Sequence, residues 1–205
     1  MWTVRLIVPW RDWLRRGFNN PNAHHGFLWH MFDHHGLPEN QGGYVFRSDK
    51  QRGGPEFLVA SQYEPKTEFS EWVESGIRAD VNFIPDDVFA KGKQFRFVSR
   101  LSPQIRDQKT GKKRPMPQED VPSWIKHQVR ESSICACGVA AVEGAQVCRS
   151  RDGSVITNHV VSVRGALEVK DEKLFVKMLV EGIGRGKRFG LGMIVLDVMA
   201  SVKNG

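Results

Sequence analysis

At 205 residues, 40% apolar and 26% charged, the chain suits one large domain or two of about 100 residues each. No stretch approaches the roughly 20 consecutive apolar residues of a membrane helix. The opening "MWTVRLIVPW" carries Arg5 and Pro9 and no small-residue cleavage site, so it reads as a strand rather than a signal peptide. Three cysteines, Cys135, Cys137 and Cys148, argue against a disulfide framework and fit a reducing cytoplasm. Their spacing, C-x-C and then one distant cysteine, is not that of a zinc ribbon. The net charge of +7 suits a polyanionic partner, chiefly nucleic acid. It concentrates in "RDQKTGKKR" (Arg106 to Arg114), "RSRDG" (Arg149 to Gly153) and "GRGKRFG" (Gly184 to Gly190).

In chain order, "WTVRLIVPW" predicts a buried strand. "NNP" opens a helix, with Asn20 as its cap and Pro21 in its first position. His25, Leu28, Trp29 and Phe32 then fall at i, i+3, i+4 and i+7, a core-facing stripe, and Gly36 and Pro38 stop the helix. "GYVFRSD" and "PEFLVASQY" predict two strands joined by the turn-rich "KQRGG". "EFSEWVES" is a short helix ended by Gly76, and "IRADVNFI" alternates as a strand. This order, strand-helix-strand-strand-helix-strand, is the ferredoxin-like split βαβ pattern.

"PDDVFAKG" is the candidate junction, and the same order follows it. "KQFRFVSRL" is a strand, and a long basic loop runs to about Pro117. "VPSWIKHQVRESS" is a helix with Trp124, Ile125, Gln128 and Val129 at helical spacing. "ICACGVAAVEGAQVCRS" and "VITNHVVSVRGALEV" are two long strands. "DEKLFVKMLVEG" is a helix with Asp171 near its start and Leu174, Met178 and Leu179 inward. "GLGMIVLDVMA" closes as a strand. The expected fold class is α+β with two tandem ferredoxin-like domains, residues 1–88 and 89–205. The two halves share an order of elements, not a sequence repeat.

"NAHHGFLWHMFDHHG" (Asn22 to Gly36) holds five of the chain's seven histidines: His24, His25, His30, His34 and His35. His30 and His34 stand at i and i+4, a usable metal pair, but no H-E-x-x-H pattern and no third ligand accompanies them. His34 and His35 suit a last helical turn, where a partly charged imidazole meets the helix dipole favourably. By pattern alone, His25 on its apolar stripe reads as a hydrogen-bonded core histidine.

"GIGRGKRFGLG" (Gly182 to Gly192) lies between a helix and the last strand. A dinucleotide fingerprint or a P-loop needs the reverse order, and no G-x-x-x-x-G-K-[ST] is present, so no nucleotide cofactor is expected. Five glycines with Arg185, Lys187 and Arg188 point instead to contact between this backbone and phosphate.

Three stretches together resemble one family. They are "HGFLWHMF" (His25 to Phe32), "FRFVSRLSPQIRDQKTGKKRPMP" (Phe95 to Pro117) and "LVEGIGRGKRFGLGMIVL" (Leu179 to Leu196). The family is CasE, the CRISPR RNA-processing endoribonuclease of type I-E Cascade complexes, with related nucleases in type IV systems; the motifs do not separate the two. The resemblance implies tandem RRM-like domains that cut the repeat RNA at the base of a hairpin and stay bound to the 3′ hairpin of the guide. The implied partners are that hairpin and the other subunits of a CRISPR effector complex, with no membrane, metal or cofactor. Neither RNP aromatic motif is evident, so bases are not expected to stack on a sheet face.

Metal-independent cleavage of this kind uses the ribose 2′-hydroxyl as nucleophile and leaves a cyclic phosphate. Histidine suits its proton transfers because its ordinary pKa of about 6.5 lies near working pH. His25 matches the family's catalytic histidine. Family members carry a tyrosine three residues earlier, where this chain has Asn22, which cannot act as a general acid. His24 is the adjacent candidate for the missing role. Arg106, Lys109, Lys112, Lys113 and Arg114, Arg149 and Arg151, and Arg185, Lys187 and Arg188 are the candidate RNA contacts. A non-catalytic subunit that caps the hairpin and a metal-dependent nuclease are the competing readings.

Overall fold

Two four-stranded antiparallel sheets organise the chain in a computed structural model, which describes residues 1–32, 43–51, 54–107, 109–149 and 153–197. The first sheet holds β1 (Trp2–Ile7), β2 (Tyr44–Gln51), β3 (Gly54–Ser61) and β4 (Arg78–Phe83), in the order β2-β3-β1-β4. After β5 (Gln94–Leu101) comes a separate small hairpin of β6 (Gln104–Arg106) and β7 (Lys113–Pro115). Then β8 (Ser133–Arg149), β9 (Val155–Val169) and β10 (Ile194–Asp197) complete the second sheet, in the order β10-β5-β9-β8. In each sheet the first and third strands of the unit are central and the second and fourth are edges. That is the ferredoxin-like arrangement the order of elements predicts.

The helices are α1 (Trp10–Arg15), α2 (Asn22–Trp29), α3 (Ser70–Ser75), α4 (Val121–Val129) and α5 (Glu172–Glu181). Sequence signals account for several boundaries. Asp171 caps α5, its Oδ1 accepting from the Leu174 amide at 2.8 Å. Gly76 ends α3 in the left-handed region, at φ 69°. On β5, Phe95, Phe97, Ser99 and Leu101 alternate inward, and Ser99 satisfies its buried hydroxyl by donating to the Met193 carbonyl at 2.7 Å.

Four expectations need correction. A helix, α1, stands where none is predicted. The basic segment is not an irregular loop: β6 pairs with β7 around a turn in which Asp107 accepts from the Lys109 and Thr110 amides at 3.0 and 2.8 Å. Leu174 is 39% exposed, and α5 turns Phe175, Met178, Leu179 and Val180 inward instead. Most consequentially, the predicted stripe of α2 is only half inward: Leu28 and Phe32 are buried but His25 and Trp29 are half-buried, and His24, Phe27 and, just past the helix, Met31 join the core instead. The predicted stops Gly36 and Pro38 lie outside the described residues.

Each sheet covers its own core. Trp13, Phe18, Phe27, Phe46, Phe57 and Trp72 dominate the first, and Phe97, Ile125, Leu167, Phe175 and Leu179 the second. A small apolar contact of Val45 and Ala60 with Met193 joins the two. Two register shifts in the β8–β9 ladder, at Val139/Ala141 and Val142/Gly144, bend this long hairpin, and its end at Arg149 reaches Asn20 of the first domain. Among the described residues no helix is long and apolar enough to cross a membrane.

Candidate active site and RNA-facing surface

The two neighbouring histidines of α2 have opposite environments. His24 is 2% exposed. Its ring lies 5.2 Å from that of Trp13, 5.5 Å from Phe18 and 5.0 Å from Phe57, and its Nε2 is 2.8 Å from the Phe18 carbonyl. A carbonyl only accepts, so Nε2 carries the proton and donates. His24 is therefore the hydrogen-bonded core histidine, and its expected role as a second proton-transfer group is corrected: a ring sealed among aromatics cannot touch a surface RNA.

His25 points the other way. Its half-buried ring stacks on Trp29, one turn on, at 5.8 Å and 22°. Tyr44 of β2 stacks on it too, at 5.6 Å and 26°. The Tyr44 hydroxyl donates to the His25 carbonyl at 3.2 Å, and Tyr44 is itself stacked on Phe32 at 4.8 Å. Rings on two elements thus fix the imidazole plane of this half-buried residue. Neither Trp29 nor Tyr44 is among the site residues expected from sequence. Tyr44 lies 19 residues away on another element, so no local spacing announces it.

The start of α2 meets the second domain. Arg188 donates from Nη2 to the Asn22 Oδ1 at 2.8 Å and lies 4.9 Å over the Phe189 ring. Asn20 bonds both backbone groups of Arg149, at 2.9 and 3.2 Å, while the Arg149 residue is exposed. The structure therefore brings Asn22, one turn ahead of His25, against Arg188, and Asn20, just before the helix, against Arg149. Arg151 lies outside the described residues, as do His34 and His35.

The glycine loop explains itself largely by its own packing. Gly192 has φ +88°, and a Cβ there would sit 2.4 Å from the Ile183 carbonyl oxygen. Gly182 has φ +66°, and a Cβ there would sit 2.7 Å from the Gly192 carbonyl oxygen. The chain folds back on itself more tightly than any side chain permits. Arg185 and Arg188 are exposed on this loop, and Lys187 is half-buried. Burial pushes the Lys187 ammonium below its usual pKa, and the charge of Glu181 partly offsets that.

Beside the loop, a cavity of about 610 Å³ runs between α4 and α5. Gln104 at the base of the β6–β7 hairpin lines one part, Arg185 and Lys187 another, and Arg130 and Lys177 add cations that no sequence pattern singles out. Glu131 and Glu181 also line it, so the groove is mixed in sign with cations in excess. The hairpin beyond carries Arg106, Lys109, Lys112, Lys113 and Arg114, all exposed. Among the described residues, no group of three or more His, Cys, Asp or Glu is placed to hold a metal ion.

A family model described as "CRISPR associated protein" matches residues 1–197. The chain belongs to this CRISPR-associated family. Over 216 residues it is 26% identical to the CRISPR-associated endoribonuclease Cse3 of Thermus thermophilus, covering 95% of this chain and 98% of that relative. Its fold is similar to that of Cse3 bound to a 19-nucleotide RNA, with a TM-score of 0.75 at 24% identity, over 96% of this chain and 100% of the other. It is similar also to a chain of a CRISPR RNA-guided surveillance complex in a pre-nicking state, with a TM-score of 0.72 at 18% identity, over 96% and 99% of the two chains. The CasE-type resemblance carried by the three motifs is borne out, and so is the tandem ferredoxin-like fold of this CRISPR-associated protein.

Proposed function

We propose that this CRISPR-associated protein is a metal-independent endoribonuclease that cuts precursor CRISPR RNA at the base of the repeat hairpin. The observation that carries the reading is the placement of His25. It is the half-buried histidine of α2, stacked on Trp29 and Tyr44, on a helix whose Asn22 bonds Arg188 and whose lead-in residue Asn20 bonds Arg149. The ribose 2′-oxygen loses its proton and bonds to the adjacent phosphorus. The bond from phosphorus to the 5′-oxygen breaks, and that oxygen takes up a proton. The products are a 2′,3′-cyclic phosphate and a 5′-hydroxyl. His25 moves one of these protons, a role that typically contributes about 10²–10⁴-fold. The exposed guanidinium groups balance the charge that develops on the phosphate.

The stem of the repeat lies across the second domain, between the glycine loop and the β6–β7 hairpin. A-form RNA hides its bases in a deep major groove, so cations there read phosphates and shape. Arg106, Lys109, Lys112, Lys113 and Arg114 serve at the hairpin, and Arg149, Arg151, Arg185, Lys187 and Arg188 nearer the cut. Product stays bound as the 3′ hairpin of the guide, within an effector complex whose other subunits are the remaining partners.

A second reading is favoured by one observation. The Asn22 side chain is engaged with Arg188 and His24 is buried, so neither neighbour of His25 supplies a second proton-transfer group. A hairpin-capping subunit that has lost efficient cutting would look like this. The test is cleavage of the repeat RNA of the protein's own locus, in chelator, by wild type and His25→Ala. A cyclic-phosphate product that the substitution abolishes supports the nuclease. Intact RNA held tightly by both proteins supports the capping subunit, and cutting that needs added metal overturns both.

A further inference from the structure

Asn20 stands just ahead of α2, and its side-chain amide acts like a short extra strand against the end of β8. Its Nδ2 donates to the Arg149 carbonyl at 2.9 Å, and its Oδ1 accepts from the Arg149 amide at 3.2 Å. The same Oδ1 accepts from the Asn22 amide at 3.3 Å, so one side chain closes the first turn of α2 and grips the other domain together. The Asn20 carbonyl accepts from the Ala23 amide at 3.0 Å, which continues the tie into the helix that carries His25.

We propose that Asn20 is a positioning residue, one that couples RNA docked on the end of the β8–β9 hairpin to the orientation of His25. The inference rests on the endoribonuclease reading above. Both groups that Asn20 holds on Arg149 are backbone atoms, so this pairing leaves the exposed Arg149 side chain for phosphate. A displacement of the hairpin end on RNA is then passed to Asn20 and to the first turn of α2. Asn20 and Arg149 are separated by 129 residues and sit in different domains, and the pairing is bidentate. Arg188 to Asn22 is a second tie at the same turn, and Gln146 of β8 fastens that loop by donating to the Phe189 carbonyl at 3.1 Å. Asn20 touches no reacting atom in this arrangement; it acts through α2.

The chemistry of the pairing dictates the test. It needs one donor and one acceptor on a short side chain. Aspartate keeps the shape but loses the donor and sets its charge against a carbonyl oxygen, and alanine loses both. Glutamine keeps both on a longer stem. Cleavage of the locus repeat RNA is measured in single turnover at saturating protein, and affinity is measured separately by filter binding. Asn20→Asp and Asn20→Ala are expected to cut about tenfold or more slowly, as misplaced catalytic groups do, with affinity within about twofold of wild type. Asn20→Gln is expected to recover part of the rate. Wild-type rates in Asn20→Asp and Asn20→Ala, or reductions of rate and affinity that run in parallel, overturn the positioning role while leaving the nuclease intact. A wild-type protein that leaves the RNA whole overturns the nuclease reading, and this inference with it.

Discussion

Arg100 of β5 and Glu143 of β8 form a salt bridge of 2.7 Å, and the same guanidinium reaches the Ser48 carbonyl of the first domain at 3.4 Å. Ser162 of β9 donates to the other carboxylate oxygen. Glu143 sits in the bulged part of β8, so this group ties the bend of the long hairpin to both sheets. Burial opposes ionisation of Glu143. Hydrogen bonds from Ser162 and Arg100, with the charges of Arg100 and Arg47, outweigh it and hold the carboxyl below its ordinary value of 4.5. A depressed native pKa contributes stability that is fully present above the unfolded value and is lost as pH falls through the native one. Glu143→Gln is therefore expected to cost about 1 kcal/mol at neutral pH. The cost should shrink towards nothing in acid. Urea unfolding of both proteins at neutral pH and below the native pKa checks it; a difference that persists in acid contradicts the ionic account.

His24 and His25 should separate stability from chemistry. His24→Ala removes a ring packed on Trp13, Phe18 and Phe57 and leaves the Phe18 carbonyl without that donor. The expected destabilisation is about 2–4 kcal/mol. At a temperature where the variant stays folded, cleavage should remain within several-fold of wild type. His25→Ala should do the converse, changing stability by about 1 kcal/mol or less while cutting falls by about 10²–10⁴-fold. Thermal melts and single-turnover rates on both variants decide it, and a catalytic defect in folded His24→Ala would overturn the assignment.

The same pair shows how much of the molecule is legible in its sequence. The sheets are readable because strands such as β5 alternate, less cleanly at Ser99, and because Asp171 and Gly76 punctuate their helices with residues chosen by backbone chemistry. The face of α2 is not readable in that way. His25, Leu28, Trp29 and Phe32 make one apolar stripe, and His24, Phe27, Leu28 and Met31 make another beside it. Leu28 and Phe32 of the first stripe are buried as well, but packing against Trp13, Phe18 and Phe57 takes His24 inward and leaves His25 and Trp29 half-buried, and those partners are known only once the fold is. Helix α1 escapes for a related reason: its six residues are too few to establish a period, and Trp10 and Leu14 on it are exposed. The site is half legible. His25 and the basic clusters stand out as residue types, whereas Tyr44 and Asn20 gain their places only through bonds across 19 and 129 residues, which leave no spacing to read.

Glycine positions should differ sharply in cost. At Gly192 the backbone has φ +88° and a Cβ would meet the Ile183 carbonyl oxygen at 2.4 Å. Gly192→Ala must bear the left-handed penalty of about 1–2 kcal/mol and also force apart the two arms of its own loop. At Gly17 the φ is similar, +68°, but nothing lies within 4 Å of a built Cβ. Gly17→Ala should cost only that conformational part, about 1–2 kcal/mol. Chemical denaturation of the two variants gives the comparison. Equal destabilisation would mean that the glycine loop is not packed this tightly.

The β6–β7 hairpin predicts which of its cations meet RNA. Register places Arg106 directly opposite Lys113, and Ile105 opposite Arg114. Directly paired residues share a face of the ladder, so Arg106 and Lys113 form a like-charge pair on one side, which is unfavourable in the free protein. A phosphate between them relieves that repulsion, and this face is the one expected to dock. Each phosphate that the protein ceases to neutralise lowers the slope of log affinity against log salt by about 0.7–0.9. The double variant Arg106→Ala with Lys113→Ala gives up the one phosphate that the pair holds, so it should lower the slope by about that amount. It should also weaken binding at low salt and leave the single-turnover rate at saturating protein unchanged. Arg114→Ala, on the opposite face, should move the slope much less. Filter binding across a salt series measures both. If Arg114→Ala carries the larger change, the hairpin enters the RNA by its other face, and the groove between α4 and α5 cannot be the path of the stem.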